Sequence, residues 1–254
     1  MVKAIDLVKP IEEFAPVFMQ EGWDNCGFSI GDVNTFVNKA LIALDCTESV
    51  IDEAIELGAN IIITHHPLIF GGVKKIMPST EQGRIIIKAI THNILIYSAH
   101  TNADKAVGGV SSIMAEKLNL QNVSPLTPDG FGVVGNLVEP LSGENLIKLV
   151  KEKFNIDILR SSSPIKNLIK SVAVCGGSGK SFIKNAMDSG AQVYITGDIS
   201  YHDFYCEKDF MLMDIGHYYS EYDIVHLFKD IICKNFPNFA TLISEKNNNP
   251  IYYY

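Results

Sequence analysis

The sequence contains few cysteines, and their spacing matches neither a zinc-binding pattern nor a disulfide framework. The five cysteines are scattered along the chain, and no Cys-x-x-Cys occurs. They are Cys26, Cys46, Cys175, Cys206 and Cys233. Their odd number and wide spacing favour free thiols, which are typical of a reducing compartment. We therefore expect a cytoplasmic protein.

Long hydrophobic runs and an excess of positive charge are also missing. No stretch of the sequence is long and apolar enough to predict a membrane-spanning helix. Charged residues interrupt residues 1–19, which we expect to form an amphipathic helix rather than a signal peptide. Lys and Arg number 21 against 29 Asp and Glu, which gives a net charge of −8. This balance argues against nucleic acid as the partner, because duplex binding depends on basic side chains.

What the sequence does contain is an alternation of strand and helix signals. Its 254 residues, of which 47% are hydrophobic, suffice for one large or two modest domains. Residues 39–45 and 61–64 are typical of buried strands. Between them, Thr47 followed by apolar residues at helical spacing predicts a helix that ends at Gly58. Alternation of this kind predicts an α/β fold with mixed, mostly parallel sheets and helices on both faces, in three layers.

Two observations divide the chain into halves. Residues 120–130 are rich in turn-forming residues and are typical of a domain boundary. Residues 58–66 (GANIIITHH) align with residues 190–198 (GAQVYITGD). The alignment indicates two related α/β domains, or else the similar composition of two unrelated strand–helix units.

The most informative feature is the pair His65-His66, which follows the apolar run 61–64 and precedes Pro67. In open α/β sheets, ligands and metals bind at the carboxyl ends of the strands. Imidazole is the commonest metal ligand among side chains that are neutral near pH 7. The pair therefore predicts a metal site, although any single histidine is more often a hydrogen-bonded structural residue.

Three further residues follow predicted strands and could complete such a site. Asp104 comes shortly after the predicted strand 94–97, and His217 and Glu221 come after the predicted strand 211–214. Because His217 and Glu221 are four residues apart, they share one face of a helix. A set of imidazoles and carboxylates suits two borderline divalent ions, which could be Zn, Fe, Mn, Co or Ni.

Six segments together are specific enough to compare with known families. They are residues 22–27 (GWDNCG), 63–70 (ITHHPLIF), 100–104 (HTNAD), 175–179 (CGGSG), 195–198 (ITGD) and 216–221 (GHYYSE). In this order they resemble the type 2 GTP cyclohydrolase I family, also called the Ngg-interacting-factor-three-like, dinuclear metal-centre family. The resemblance covers nearly the whole chain. It implies two α/β domains, the second inserted in the first: residues 1–124 with 209–254, and residues 125–208.

The resemblance also implies a site, an assembly and a reaction. The site would hold two divalent ions per subunit on the same side chains that the spacing suggests, namely His65, His66, Asp104, His217 and Glu221. The assembly would be a ring-shaped homohexamer, a trimer of dimers. The reaction would be hydrolytic opening of the imidazole ring of GTP by metal-activated water, with release of C8 as formate.

Two other residues are candidates for supporting roles. His100 could transfer protons or orient a water molecule during catalysis. Asp45 could accept a hydrogen bond from a metal-ligating histidine. The alternative for both residues is a hydrogen bond that stabilises a loop.

Two other function classes stay open at this point. The protein could be a ring that stores, delivers or senses metal ions, or an interaction scaffold that metal ions stabilise. All three classes need the same five ligands, so the ligand set does not separate them.

The glycine-rich run 175–181 (CGGSGKS) is close to a phosphate-binding loop, but Val174 stands where that motif needs its first glycine. We expect a tight strand-to-helix turn there. We also expect residues 247–254, with their biased composition, to be a poorly ordered tail.

Overall fold

The structure is a computed structural model that describes residues 2–253. The strands are β1 (Val2–Lys3), β2 (Gly27–Ile30), β3 (Phe36–Val37), β4 (Lys39–Ala43), β5 (Ile61–Thr64), β6 (Leu95–Ser98), β7 (Gln121–Pro125), β8 (Val133–Leu141), β9 (Arg160–Ser161), β10 (Ile169–Ser178), β11 (Val193–Gly197), β12 (Met211–Asp214) and β13 (Ala240–Ile243). The helices are α1 (Ala4–Phe14), α2 (Glu48–Leu57), α3 (Glu81–Thr91), α4 (Thr101–Lys105), α5 (Val110–Lys117), α6 (Gly143–Phe154), α7 (Ile183–Asp188), α8 (His217–Glu221) and α9 (Ile224–Asn235). In the part of the chain that the structure describes, no helix combines the length and the apolar character needed to cross a membrane.

The chain divides into two compact units, each with its own sheet. Unit 1 comprises residues 2–103 and 224–252, and unit 2 comprises residues 104–223 with Tyr253. The boundaries of these two units differ from the predicted domain boundaries near residues 125 and 208. The reason is strand pairing: β7 pairs with β8, and β12 pairs with β11, so both strands belong to the sheet of unit 2.

The sheet of unit 1 has the order β13-β4-β5-β6-β2 and is parallel except for β2, which is antiparallel to β6. In the register of its central strands, Ala43 pairs with Thr64 and Thr64 with Ser98. The carboxyl ends of β4, β5 and β6 are therefore level. Residues that directly follow these strands leave the sheet at one edge.

Helix α2 illustrates how the sequence determines the local structure of unit 1. The side chain of Thr47 accepts a hydrogen bond from the backbone N–H of Val50 at 3.3 Å, which caps the first turn. Gly58 ends the helix in the left-handed conformation, with φ +66°. Both predicted helix boundaries are confirmed. The apolar face of α2 packs with that of α3 against residues of β4, β5 and β6.

The sheet of unit 2 has the order β7-β8-β10-β11-β12-β9. Its central strands β10, β11 and β12 are parallel, whereas β7, β8 and β9 join by antiparallel pairing. The prediction of a mostly parallel sheet thus describes unit 1 better than unit 2. A short loop can connect antiparallel strands such as β7 and β8, whereas each parallel pair needs a crossover segment. Helices α5 and α6 contribute to the main hydrophobic core of this unit.

The predicted disorder of residues 247–254 is wrong at its first residue, and Tyr254 lies outside the described residues. Asn247 is buried, and its Oδ1 accepts hydrogen bonds from the backbone N–H groups of Leu44 and Asp45, the second at 3.1 Å. These two N–H groups lie just beyond β4, where β13 has already ended. The amide of Asn247 supplies the acceptor that the sheet no longer provides.

Replacing Asn247 should therefore destabilise unit 1. Asn247→Ala leaves two backbone donors without their acceptor, and we expect it to lower the free energy of unfolding by about 1–3 kcal/mol. The matched control is Asn248→Ala, because Asn248 is the neighbouring asparagine and is exposed. Urea denaturation measures both variants. Equal stability of the two would contradict the role assigned to Asn247.

Candidate metal centre

Three histidines of unit 1 lie together at the edge of its sheet where β4, β5 and β6 end. His65 and His66 directly follow β5, and His100 comes two residues after β6. The ring centroids are 5.0 Å apart for His65 and His66, 5.2 Å for His65 and His100, and 5.4 Å for His66 and His100. One ring nitrogen from each lies within 4.8 Å of the others, so the three could hold a metal ion. We call these residues the histidine group.

Each ring of the histidine group is held by a hydrogen bond from Nδ1 to an oxygen atom. The pairs are His65 with the carbonyl of Ala99 (2.9 Å), His66 with the carboxylate of Asp45 (2.7 Å) and His100 with the carboxylate of Asp24 (3.0 Å). Because a carbonyl or an ionised carboxylate only accepts hydrogen bonds, Nδ1 carries the proton in each neutral ring. Nε2 then carries the lone pair, as it does in metal-ligating histidines of this kind.

The side chain of Asp24 has an exposure of 0%, whereas that of Asp45 is 37% exposed. The carboxylate of Asp24 also accepts hydrogen bonds from the backbone N–H of Thr101, at 3.1 Å, and from the hydroxyl of Thr101. Burial alone would raise the pKa of Asp24, but the hydrogen bonds and the neighbouring charge of His100 hold it well below its usual range. Asp24 is therefore ionised, and it fixes the tautomer and the orientation of His100.

In unit 2, His217 and Glu221 lie at the two ends of α8. Nε2 of His217 is 3.0 Å from Oε2 of Glu221, and its Nδ1 is 2.7 Å from Oδ2 of Asp198. Glu221 is buried, with an exposure of 4%. The ring of His217 thus donates from Nδ1 to an oxygen atom, as the rings of the histidine group do. The carboxylate of Glu221 lies one helical turn away.

The charges around His217 favour a cation. Burial would lower the pKa of His217, but hydrogen bonds and negative charge from Glu221 and Asp198 raise it to about 9. In the metal-free state the ring is therefore protonated at neutral pH. A divalent ion would replace that positive charge, and protons compete with it increasingly as the pH falls below about 9.

Asp104 lies in α4 and belongs to unit 2. Burial raises the pKa of the Cys175 thiol to about 12, and the negative charges of Asp104 and Glu221 add to this increase. Unit 2 therefore brings two carboxylates close to one cysteine. At neutral pH that cysteine is an uncharged thiol.

The glycine-rich run connects strand β10 to a short helical segment (Lys180–Phe182) through Gly179, but the connection begins later than expected. β10 continues through Ser178, so Gly176 and Gly177 belong to the strand. The backbone N–H of Gly177 donates to the hydroxyl of Ser220 at 2.9 Å, and that of Gly179 donates to Thr196 at 3.0 Å. Because side chains of the protein accept from these two N–H groups, neither is available to a phosphate.

Gly177 instead provides space for Glu221. A Cβ atom at Gly177 would lie 2.2 Å from Oε1 of Glu221 and 3.4 Å from Nε2 of His217, and the φ of this residue is +62°. Any side chain here would displace the carboxylate from its position beside the imidazole. The glycine is thus part of the site, although the sequence alone predicts only a turn.

The six candidate residues fall into two sets. Unit 1 holds His65, His66 and His100 together, whereas unit 2 holds Asp104, His217 and Glu221. The predicted contact between Asp45 and a histidine is present. Sequence reasoning did not identify the partners of the other rings, because Asp24 and Asp198 are ordinary loop aspartates by pattern. Imidazole nitrogens and carboxylate oxygens of this number and orientation fit borderline divalent ions.

Comparisons with known proteins give one consistent family. Residues 2–250 match the model of the family described as Duf34/NIF3 (NGG1p interacting factor 3). A protein of Clostridium perfringens named GTP cyclohydrolase 1 type 2 homolog is 39% identical, with 88% of each chain covered. A protein of the same name from Clostridium acetobutylicum is 38% identical, with 98% of each chain covered.

Solved structures agree with this result. The crystal structure of a Bacillus cereus protein related to NIF3 has a TM-score of 0.93 and 25% identity, covering 100% of this chain and 99% of its own. That of a Staphylococcus aureus hypothetical protein has a TM-score of 0.91 and 31% identity, with 99% of each chain covered. The predicted α/β fold is confirmed by these similarities.

The close approach of Gly177 and Glu221 can be tested by adding one methyl group. Gly177→Ala should displace the carboxylate and weaken metal binding about 10-fold or more, in the range observed when a group that orients metal ligands is lost. Metal content after dialysis against a weak chelator measures the effect.

The matched control is Gly190→Ala. Gly190 also belongs to unit 2 and has a positive φ, +79°, but a Cβ atom there meets nothing within 4 Å. It should cost about 1–2 kcal/mol of backbone strain and leave metal content unchanged. If both variants lost metal equally, backbone strain rather than contact with Glu221 would be the cause.

Proposed function

Because the chain belongs to the Duf34/NIF3 family, we propose that it is a metal-dependent hydrolase that opens the imidazole ring of GTP and releases C8 as formate. One observation carries the metal-dependent part of this proposal. The three histidines of the proposed ligand set, His65, His66 and His217, each donate from Nδ1 to an oxygen acceptor, which leaves Nε2 for use as a ligand. The names of the clostridial relatives support the choice of GTP as substrate.

The proposed metal ligands are those implied by the sequence, and they would hold two divalent ions per chain. They are His65, His66, Asp104, His217 and Glu221. Such ions lower the pKa of bound water to about 7 in favourable sites and so supply hydroxide at neutral pH. Zn, Fe, Mn, Co and Ni all suit this donor set.

The remaining residues of the site orient these ligands. Asp45 holds the ring of His66, Asp198 holds that of His217, and the carbonyl of Ala99 holds that of His65. A carboxylate acceptor also makes the imidazole more basic, which strengthens its bond to a cation. Asp45 and Asp198 therefore contribute to metal affinity without touching the ion.

His100 is the proposed catalytic acid and base. Its Nδ1–H is held by the ionised Asp24, so Nε2 accepts a proton when water adds to C8. The negative charge of Asp24 stabilises the imidazolium that results. The same nitrogen returns that proton to the ring nitrogen whose double bond to C8 the addition has consumed. Nε2 then takes the proton of the new hydroxyl on C8, which becomes a carbonyl, and passes it to the other ring nitrogen as the bond from that nitrogen to C8 breaks. A second water then adds to the resulting formyl carbon, the remaining bond from C8 to nitrogen breaks, the nitrogen takes a proton and leaves as an amine, and C8 leaves as formate.

The homohexamer implied by the resemblance stays a prediction. Its signature in solution is a particle of six 28.0 kDa chains.

Formate release from GTP tests the proposed reaction directly. Protein loaded in turn with Mn, Fe, Zn or Co is expected to release formate with at least one of these metals. His65→Ala should abolish release, because it removes a ligand that is fully buried. His92→Ala is the matched control, since His92 is an exposed histidine of the same unit at the end of α3.

The negative outcome is equally informative. Protein that holds two ions per chain and releases no formate with any of the four metals would contradict the cyclohydrolase assignment. It would favour the storage or delivery of metal ions instead.

His100→Gln separates catalysis from metal binding. We expect the variant to keep two ions per chain and to lower kcat about 100-fold or more, because general acid–base catalysis typically contributes that much. Metal analysis and single-turnover kinetics measure the two effects. Since His100 also lies within the histidine group, loss of an ion from the variant would make it a ligand rather than a proton carrier.

A further inference from the structure

Three aromatic rings of unit 1 lie together beside the histidine group. They belong to Trp23, Phe70 and His100. The ring centroids are 5.3 Å apart for Trp23 and Phe70, 6.2 Å for Trp23 and His100, and 6.0 Å for Phe70 and His100. We call them the aromatic wall. Because His100 is also a member of the histidine group, a molecule that contacts the wall lies next to the other imidazoles.

The two larger rings of the aromatic wall are exposed. Trp23 is 56% exposed and Phe70 is 53% exposed. Large aromatic side chains usually lose most of their exposed surface on folding, as Tyr97 of the neighbouring β6 does. Two such rings in contact with each other and left open to solvent, next to a polar site, are typical of a ligand-binding surface.

Hydrogen bonds fix the segments that carry these rings. Nδ2 of Asn25 donates to the carbonyl of Ile69 at 2.6 Å, which ties the Trp23 segment to the Phe70 segment. Asp24 holds His100, and the backbone N–H of Cys26 donates to Oε1 of Gln20 at 2.8 Å. The wall is therefore in place before a ligand arrives, which lowers the entropy lost on binding.

The planes of Trp23 and Phe70 are tilted by 44° to each other, and His100 lies edge-on to both. We propose that the aromatic wall binds the planar heteroaromatic ring of the substrate, which stacks on the face of Trp23 and contacts the tilted ring of Phe70. The identification of that ring as a purine rests on the proposed function. Indole and phenyl faces stack on any flat nucleobase, whereas they offer nothing specific to a phosphate or an aliphatic chain. Stacking on the wall holds the purine beside the nitrogen atoms of His65, His66 and His100, where its imidazole portion would react.

Trp23 is the single tryptophan of the chain, so its fluorescence reports on the wall. The metal-loaded protein is titrated with guanosine, with GTP and with inorganic tripolyphosphate. Guanosine and GTP should quench the emission to saturation, and tripolyphosphate, which has no ring, should not. Absence of quenching by guanosine, or equal quenching by tripolyphosphate, would overturn the proposal.

Phe70→Leu tests the second ring while Trp23 still reports. Loss of one aromatic partner should raise the Kd of guanosine about 10-fold, within the range of base-stacking contributions. The matched control is Phe36→Leu. Phe36 has a similar exposure, 56%. It lies near the start of β5, because its carbonyl accepts a hydrogen bond from Asn60, whereas His65 follows the end of that strand. The control should bind guanosine as the unmodified protein does.

Metal content and formate release are measured on the same samples, so that the two proposals can fail separately. Saturable quenching that weakens in Phe70→Leu, without any formate, supports the aromatic wall and contradicts the proposed reaction. Normal formate release with an unchanged Kd and KM in Phe70→Leu overturns the wall alone. A change in particle mass with unchanged guanosine affinity also overturns it, and identifies Phe70 as part of a contact with another protein chain.

Discussion

The candidate metal centre depends on one repeated interaction, the hydrogen bond from Nδ1 of a histidine to an oxygen atom of a loop. An imidazole that is free to rotate or to change its tautomer is a poor ligand, because Nε2 must carry a lone pair in a fixed direction. Here the acceptor is a carbonyl for His65 and a carboxylate for His66, His100 and His217. Three of these oxygens belong to residues that come just after a strand: Asp45 after β4, Ala99 after β6 and Asp198 after β11.

The kind of acceptor determines how much negative charge surrounds each imidazole ring. The carbonyl of Ala99 orients His65 without adding negative charge. Each carboxylate adds one charge to the surroundings of its ring, and in unit 2 Asp198 and Glu221 act together on His217 and raise its pKa. A divalent cation is the natural counterion for such a set, since positive charge relieves the repulsion between carboxylates. The same arrangement explains why the ring holds a proton when no metal is present.

Much of this molecule could be predicted from its sequence, and the remainder has identifiable physical reasons. The helix between Thr47 and Gly58 and the strand before His65 follow from capping and hydrophobic pattern, which act over a few residues. The partners of the rings depend on contacts between distant parts of the chain: Asp24 and His100 are 76 residues apart, and Asp198 and His217 are 19 apart. Pattern does not reveal such contacts. The pattern predicts only a turn at Gly177 for the same reason, since the residue that Gly177 accommodates is Glu221.

The buried Cys175 has a consequence for the kind of metal that the proposed site would select. A thiolate is a soft ligand, and in its presence copper(I) would compete strongly with harder ions. Burial and the nearby charges of Asp104 and Glu221 keep this sulfur protonated, with a pKa of about 12. Burial, with a further contribution from two of the proposed metal ligands, thus keeps Cys175 from acting as a thiolate ligand. The preference of the proposed site for harder ions would then depend in part on a residue that binds no metal.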